Sequence, residues 1–173
     1  CAWGVGAILA DDMGLGKTLQ ALAVLAARAA AGLLAKGALV VCPASVTAVW
    51  RDHAARFTPG LRCAVYAGTP ERRAELLEAD GWRLLVVNYA LLRQDVARFQ
   101  ARDFDLVVFD EAQQLKNPEA QVTRAARGLR ANGALALTGT PLENRALDLW
   151  SIMECLNPGF LGARDQFIER YEV

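Results

Sequence analysis

The run ADDMGLGKT at residues 10–18 places two glycines, a lysine and a threonine at the spacing of a phosphate-binding loop. Gly14 and Gly16 let the backbone approach phosphate oxygens and turn N–H groups toward them. Lys17 would reach the β- and γ-phosphates, and Thr18 would ligate Mg²⁺. Asp11 stands where the pattern G-x-x-x-x-G-K-[ST] has its first glycine, so by itself the run also reads as an ordinary strand-to-helix turn. A second run, LVVFDEAQ at 106–113, ends an apolar stretch in two carboxylates. Asp110 is placed to hold Mg²⁺ through its shell, and Glu111 to orient or deprotonate an attacking water. A lone Asp-Glu pair would be a charged strand end; following a phosphate loop, the two half-signals support one another. A third run, LALTGTPLENR at 135–145, sets Thr138, Gly139 and Thr140 at the end of an apolar stretch. It reads as a relay between a nucleotide and another surface, against the plain alternative of a turn before a capped helix.

These residues need a scaffold that brings strand ends together. Short apolar runs of strand length lie at 5–10, 38–43, 63–68, 83–89, 104–112 and 134–141. Helical patterns lie between them. Residues 17–32 are apolar almost all round, with Gln20 the only polar residue between Leu19 and Ala27, which predicts a buried helix. Residues 45–57 carry Val46, Val49, Trp50 and Phe57 on one side with Ser45 as a cap. Residues 69–79 have Pro70 in the first turn. Residues 144–156 are amphipathic, and Pro158-Gly159 ends them. Solid apolar strands alternating with helices predict an α/β fold, a mostly parallel sheet with helices on both faces. Ligands bind such sheets at the carboxyl ends of strands, where all three polar runs sit.

Composition bounds the function. The 173 residues are 54% hydrophobic and 22% charged, enough for one ordered domain that buries roughly 70% of its unfolded surface. Net charge is zero, so any nucleic-acid contact is local or made by parts beyond this chain. Of the cations 16 are Arg and three are Lys, and one of those Lys is Lys17. The four Cys form no C-x-x-C pair, and the single His53 has no metal-ligand neighbour in sequence, which argues against zinc and for a reducing compartment. No apolar run of about 18 residues without charges occurs and no signal-peptide pattern is read in these residues, so nothing here argues for a membrane. The chain opens on Cys directly upstream of a motif and reads as a piece of a longer protein.

The segments LADDMGLGKTLQ, LVVCPASVTAVW, VVNYALLR, FDLVVFDEAQQLKN and LALTGTPLENRALDLWSIMECLNPGFLG occur in that order over essentially all 173 residues. In order and spacing they resemble the Swi/Snf family of ATP-dependent DNA translocases, within the second helicase superfamily. Proteins of that superfamily use A-x-x-G-x-G-K-T, and this family commonly has an acidic residue at the alanine position, which Asp11 fits. The resemblance implies that residues 1–173 are the first of two RecA-like lobes, truncated at its N-terminus and lacking the second lobe with its arginine fingers. It implies MgATP held by Gly14, Leu15, Gly16, Lys17 and Thr18, with Asp110 and Glu111 as the Mg²⁺ and water-activating carboxylates of a DEAQ box. Gln113 stands where many relatives have His and can hydrogen-bond the γ-phosphate or the TGTP loop without titrating. Thr138, Gly139 and Thr140 would couple ATP state to DNA grip. Ser45, Asn88, Tyr89 and Lys116 fall in segments that resemble the family's DNA-facing loops, where contacts go largely to phosphates. Trp50 also fits the family pattern and reads as core.

The resemblance implies double-stranded DNA as partner, no membrane, and a place inside the cell, at the bacterial nucleoid or in a eukaryotic nucleus. Two alternatives stay open: an RNA- or DNA-unwinding helicase of the same superfamily, and a nucleotide-binding regulatory module without motor work. Against the first, many such enzymes have Ser-Ala-Thr where Thr138-Gly139-Thr140 stand here.

Overall fold

The computed structural model describes residues 5–12, 14–139 and 146–171. Along the chain these form β1 (Ala7–Leu9), α1 (Lys17–Ala30), β2 (Ala38–Cys42), α2 (Thr47–Phe57), β3 (Cys63–Val65), α3 (Pro70–Glu78), β4 (Leu84–Asn88) and α4 (Tyr89–Gln94). They continue with α5 (Val96–Gln100), β5 (Asp103–Phe104), β6 (Leu106–Asp110), α6 (Gln121–Arg127), β7 (Arg130–Ala131), β8 (Ala134–Leu137), α7 (Ala146–Leu156) and α8 (Arg164–Tyr171). Short 3₁₀ turns follow β2 at Ala44–Val46 and β6 at Ala112–Leu115.

The main sheet has six strands in the order β1-β8-β6-β2-β4-β3, and every neighbouring pair is parallel. Its middle is made of the longest apolar runs. Val40 of β2 lies opposite Val86 of β4 and Val108 of β6. Because side chains alternate along a strand, each of these runs feeds two cores. Ala38, Val40, Cys42, Leu84, Val86 and Val108 meet Ala21, Leu22 and Leu25 of α1 and Trp50 and Ala54 of α2. Leu39, Val41, Leu85, Val87, Val107 and Phe109 meet Leu92, Phe99, Ala125, Ala126 and Ile152 from α4 to α7. Covered on both faces, such strands must be apolar at every position. Each large side chain fully buried this way contributes roughly 1.5–3 kcal/mol.

Local signals set the helix starts on the strand-end side. Thr69 caps α3, its hydroxyl accepting from the Arg72 N–H at 3.4 Å, and Pro70 occupies the first turn. Asn88 ends β4 and caps α4 through Oδ1, which accepts from the Leu91 N–H at 2.9 Å. A buried ion pair ties α3 to the segment between α4 and α5: Arg73 Nε donates to Asp95 Oδ2 at 2.7 Å, and the Tyr66 hydroxyl donates to the same oxygen at 2.9 Å. Burial alone would raise the Asp95 carboxyl. The two hydrogen bonds and the Arg73 charge outweigh it and hold the group below the usual carboxylate range.

Several elements differ from the sequence reading. The helix at 17–32 is not buried all round: Ala21, Leu22 and Leu25 are, but Leu19 and Val24 are 38% and 39% exposed. It packs on the sheet by one side, and among the described residues no element covers its outer face. Ser45 does not cap α2; it lies in the 3₁₀ turn, and α2 begins at Thr47. Trp50 and Ala54 make the buried face of that helix, while Val49 and Phe57 are exposed, the Phe57 ring meeting His53 edge-on at 5.8 Å and Arg56 at 5.0 Å. The stretch 104–112 divides: Phe104 pairs in a separate two-stranded ribbon, β5 with β7, and β6 ends at Asp110. The final strand stops at Leu137. The helices α6 and α8 were among those unread. α6 buries Thr123, Ala125 and Ala126, and α8 buries Phe167, so neither carries a wide stripe of large apolar residues.

Candidate nucleotide site

Strand order creates the site. β8 lies between β1 and β6, and Leu137 is opposite Leu9 on one side and Asp110 on the other. The loop after β1, Thr138 after β8, and Asp110-Glu111 at the end of β6 therefore converge on one edge. Thr138 continues the join, its N–H donating to the Leu9 carbonyl at 3.1 Å.

On the first wall, Gly14 and Gly16 have φ of 87° and 77°, where a side chain would be strained, and a Cβ at either would meet no atom within 4 Å. The loop is thus glycine for its backbone shape, with open space beside it. α1 starts at Lys17 with no side-chain cap and no acidic residue in its first turn. Its leading N–H groups and the positive end of its dipole suit an anion. Lys17 Nζ donates to the carbonyls of Asp11 at 2.8 Å and Asp12 at 3.0 Å. These neutral acceptors are weaker partners for an ammonium than a phosphate oxygen. Leu15 offers its backbone only, its side chain being 61% exposed. Thr18 is half-buried in the first turn of α1.

On the second wall, the Asp110 carboxylate is buried and held at both oxygens. Oδ2 accepts from Trp50 Nε1 at 2.7 Å, and Oδ1 accepts from the Glu111 N–H at 3.0 Å. The Tyr89 hydroxyl donates to the Asp110 main-chain carbonyl at 2.8 Å. Burial pushes the Asp110 carboxyl up; the Trp50 and Glu111 N–H groups pull it back, the Glu111 charge raises it, the Lys17 charge lowers it, and the balance is upward. A group so placed gains from a nearby cation. Glu111 has φ 50°, the one positive φ outside glycine among the described residues. Backbone strain of this kind costs of order 1–3 kcal/mol and clusters at functional sites. Its Oε2 accepts from Gln113 Nε2 at 2.6 Å, and Gln113 Oε1 accepts from the Thr138 hydroxyl at 3.0 Å. Glu111, Gln113 and Thr138 thus form one chain across β6 and β8.

These residues fit a magnesium nucleotide. Among the described residues no group of three or more His, Cys, Asp or Glu is placed to cage a metal. Mg²⁺ bound here would rest on Asp110 and Thr18, with phosphate and water completing its shell. Burial and the Asp110 charge push the Cys42 thiol up to about 12, burial pushes Cys155 to about 12, and partial burial pushes the half-buried Cys63 to about 11.

The residues assigned to nucleic acid stand at or after the ends of β2, β4 and β6, on the same edge of the parallel sheet, but differ in attitude. Ser45 and Lys116 are exposed, and Asn88 is half-buried with Oδ1 committed to its cap. Tyr89 is buried with its hydroxyl turned to Asp110, so an outward contact there falls to Asn88 and the backbone. Gly139 follows Thr138, and Thr140 lies outside the described residues. Two contributors were missed in sequence. Gln20 braces the phosphate loop, Nε2 donating to Asp11 Oδ2 at 2.9 Å and to the Leu15 carbonyl at 3.1 Å. That bond gives Asp11 a use, and the signal was a single Gln on an apolar helix. Trp50 is core, as read, but also a donor to Asp110. Its sequence context gave no sign of that.

Comparison with known proteins gives the family and the fold of this chain. A family model described as the SNF2-related domain matches residues 2–173. An uncharacterised ATP-dependent helicase of Mycoplasma pneumoniae is 40% identical over 167 residues, covering 96% of this chain and 16% of its own length. The TATA-binding protein-associated factor MOT1 of Saccharomyces cerevisiae is 36% identical, covering 95% and 9%. The solved Sulfolobus solfataricus SWI2/SNF2 ATPase core in complex with dsDNA superposes with a TM-score of 0.88 at 40% identity, over 97% of this chain and 35% of that one. The chain thus spans only a small part of these relatives, and it belongs to the SNF2-related domain family.

Proposed function

We propose that this chain is the ATP-binding lobe of a motor that couples ATP hydrolysis to movement along double-stranded DNA. The observation that carries the reading is the convergence of the Gly14–Thr18 loop, Asp110-Glu111 and Thr138 on adjacent parallel strand ends. The similarity to an ATPase core solved in complex with dsDNA supports duplex DNA as the track.

In this reading the backbone at Gly14, Leu15 and Gly16 and the Lys17 ammonium hold the β- and γ-phosphates. Asp110 and Thr18 hold Mg²⁺, which when bound neutralises charge developing on the phosphates. Glu111 accepts the proton of the water whose oxygen bonds the γ-phosphorus as the bond to the ADP oxygen breaks. Gln113 and Thr138, already joined by a hydrogen bond, sense whether the γ-phosphate is present, and Thr140 extends that relay. Ser45, Asn88, Lys116 and the backbone around them contact DNA phosphates, which a neutral lobe achieves through hydroxyls, amides and N–H groups. A second RecA-like lobe of the same protein closes the cleft and supplies arginine.

The name of the Mycoplasma relative favours one alternative, strand unwinding. Two substrates separate the readings. With ATP, the full-length protein is expected to displace the third strand of a triplex from its duplex and to leave a forked duplex unseparated. Release of single strands from the fork without triplex displacement would make it an unwinding helicase.

A further inference from the structure

Two buried side chains from opposite faces of the sheet converge on Asp110. Trp50 belongs to the core on the α1–α2 side, and Tyr89 to the core on the other. Trp50 stands in the first turn of α2, just after the Ala44–Val46 turn. Tyr89 is the first residue of α4, directly after Asn88. Their rings fill core, a task that needs no polar atom. Their polar atoms do something else: one reaches the Asp110 carboxylate at 2.7 Å and the other its main-chain carbonyl at 2.8 Å. One brace therefore orients the carboxylate, and the other fixes the peptide that leads into the strained backbone of Glu111.

We propose that Trp50 and Tyr89 are positioning residues that transmit nucleic-acid contact at the ends of β2 and β4 to the nucleotide site. The inference rests on the reading that the Pro43–Ser45 segment and Asn88 face DNA. The Ala44–Val46 turn runs straight into α2 and Asn88 straight into α4, and the first turn of each helix carries one of the two hydrogen bonds. Close-packed cores pass on small shifts instead of absorbing them. A displacement at either strand end thus reaches Asp110, and through it Glu111, without any contact between DNA and the phosphate site. Because Trp50 and Tyr89 act on the same residue, their effects are coupled.

The test is the affinity of the full-length protein for a non-hydrolysable Mg–ATP analogue, measured with and without saturating duplex DNA. The ratio of the two affinities is a coupling factor that both ligands share. Wild type is expected to give about five-fold or more, within the usual range for coupled sites. Trp50→Phe and Tyr89→Phe are each expected to lower the ratio about three-fold or more, and the double variant to fall no further than the stronger single one. Trp82→Phe is the control. It removes another buried indole, one that donates to the Leu76 carbonyl at 2.9 Å, and is expected to keep the wild-type ratio. Should Trp50→Phe fail to fold, Tyr89→Phe, which deletes one hydroxyl, carries the test alone. Variants that weaken the analogue equally with and without DNA would reduce both residues to packing and overturn the inference alone. A wild type that binds the analogue but not duplex DNA would overturn the motor reading and this inference with it.

Discussion

Glu111→Gln in the full-length protein is expected to bind ATP as wild type does and to hydrolyse it roughly 10²-fold more slowly or worse, the scale of a lost general base. The substitution preserves shape. A Gln side chain still offers an oxygen to Gln113 Nε2, which now approaches Glu111 Oε2 at 2.6 Å, so the chain to Thr138 persists. The positive φ at this position is as costly for Gln as for Glu, so stability barely moves. What is lost is the capacity to take a proton. Single-turnover hydrolysis beside equilibrium binding of labelled ATP measures both quantities. Near-normal turnover would move the water-activating role to another group.

Lys17→Ala should have the largest effect on binding. The ammonium makes two hydrogen bonds to loop carbonyls and is poised for charge-assisted bonds to phosphate, each worth about 1.5–3 kcal/mol. Losing them weakens Mg–ATP about 10²-fold or more. The fold is expected to stay within about 0.5 kcal/mol of wild type, since Lys17 lies at a loop end and its loss opens no core cavity. Calorimetric titration together with thermal melting separates the two outcomes. Wild-type affinity in Lys17→Ala would take the nucleotide away from this loop, and a collapse in melting temperature would make the lysine structural.

The parallel sheet and the glycine turn after β1 were legible because their causes are local. Val40, Val86 and Val108 sit in apolar runs with no polar break, which a strand covered on both faces requires. Gly14 and Gly16 stand where the backbone needs positive φ. The strand order was not legible, and it is what makes a site of three separate runs: β8, last in sequence, inserts between β1 and β6. The outer face of α1 was misread because composition says only that a helix is apolar, whereas burial depends on how many neighbours it has. Trp50 was read correctly as core and incompletely as chemistry. A single indole N–H aimed 60 residues along the chain at a carboxylate leaves no trace in spacing. α6 escaped because helices that bury alanines show little periodicity.

Duplex-driven ATP turnover is proposed at the site formed by Lys17, Asp110 and Glu111. Its most direct measurement is the steady-state ATPase rate of the full-length protein alone and with equal masses of double-stranded DNA, single-stranded DNA and RNA, at two salt concentrations. Strong stimulation by the duplex is expected, with weak stimulation by the other two and a loss of stimulation as salt rises, because phosphate contacts release counterions. A rate that no nucleic acid raises, or one that RNA or single-stranded DNA raises more than the duplex does, would contradict it.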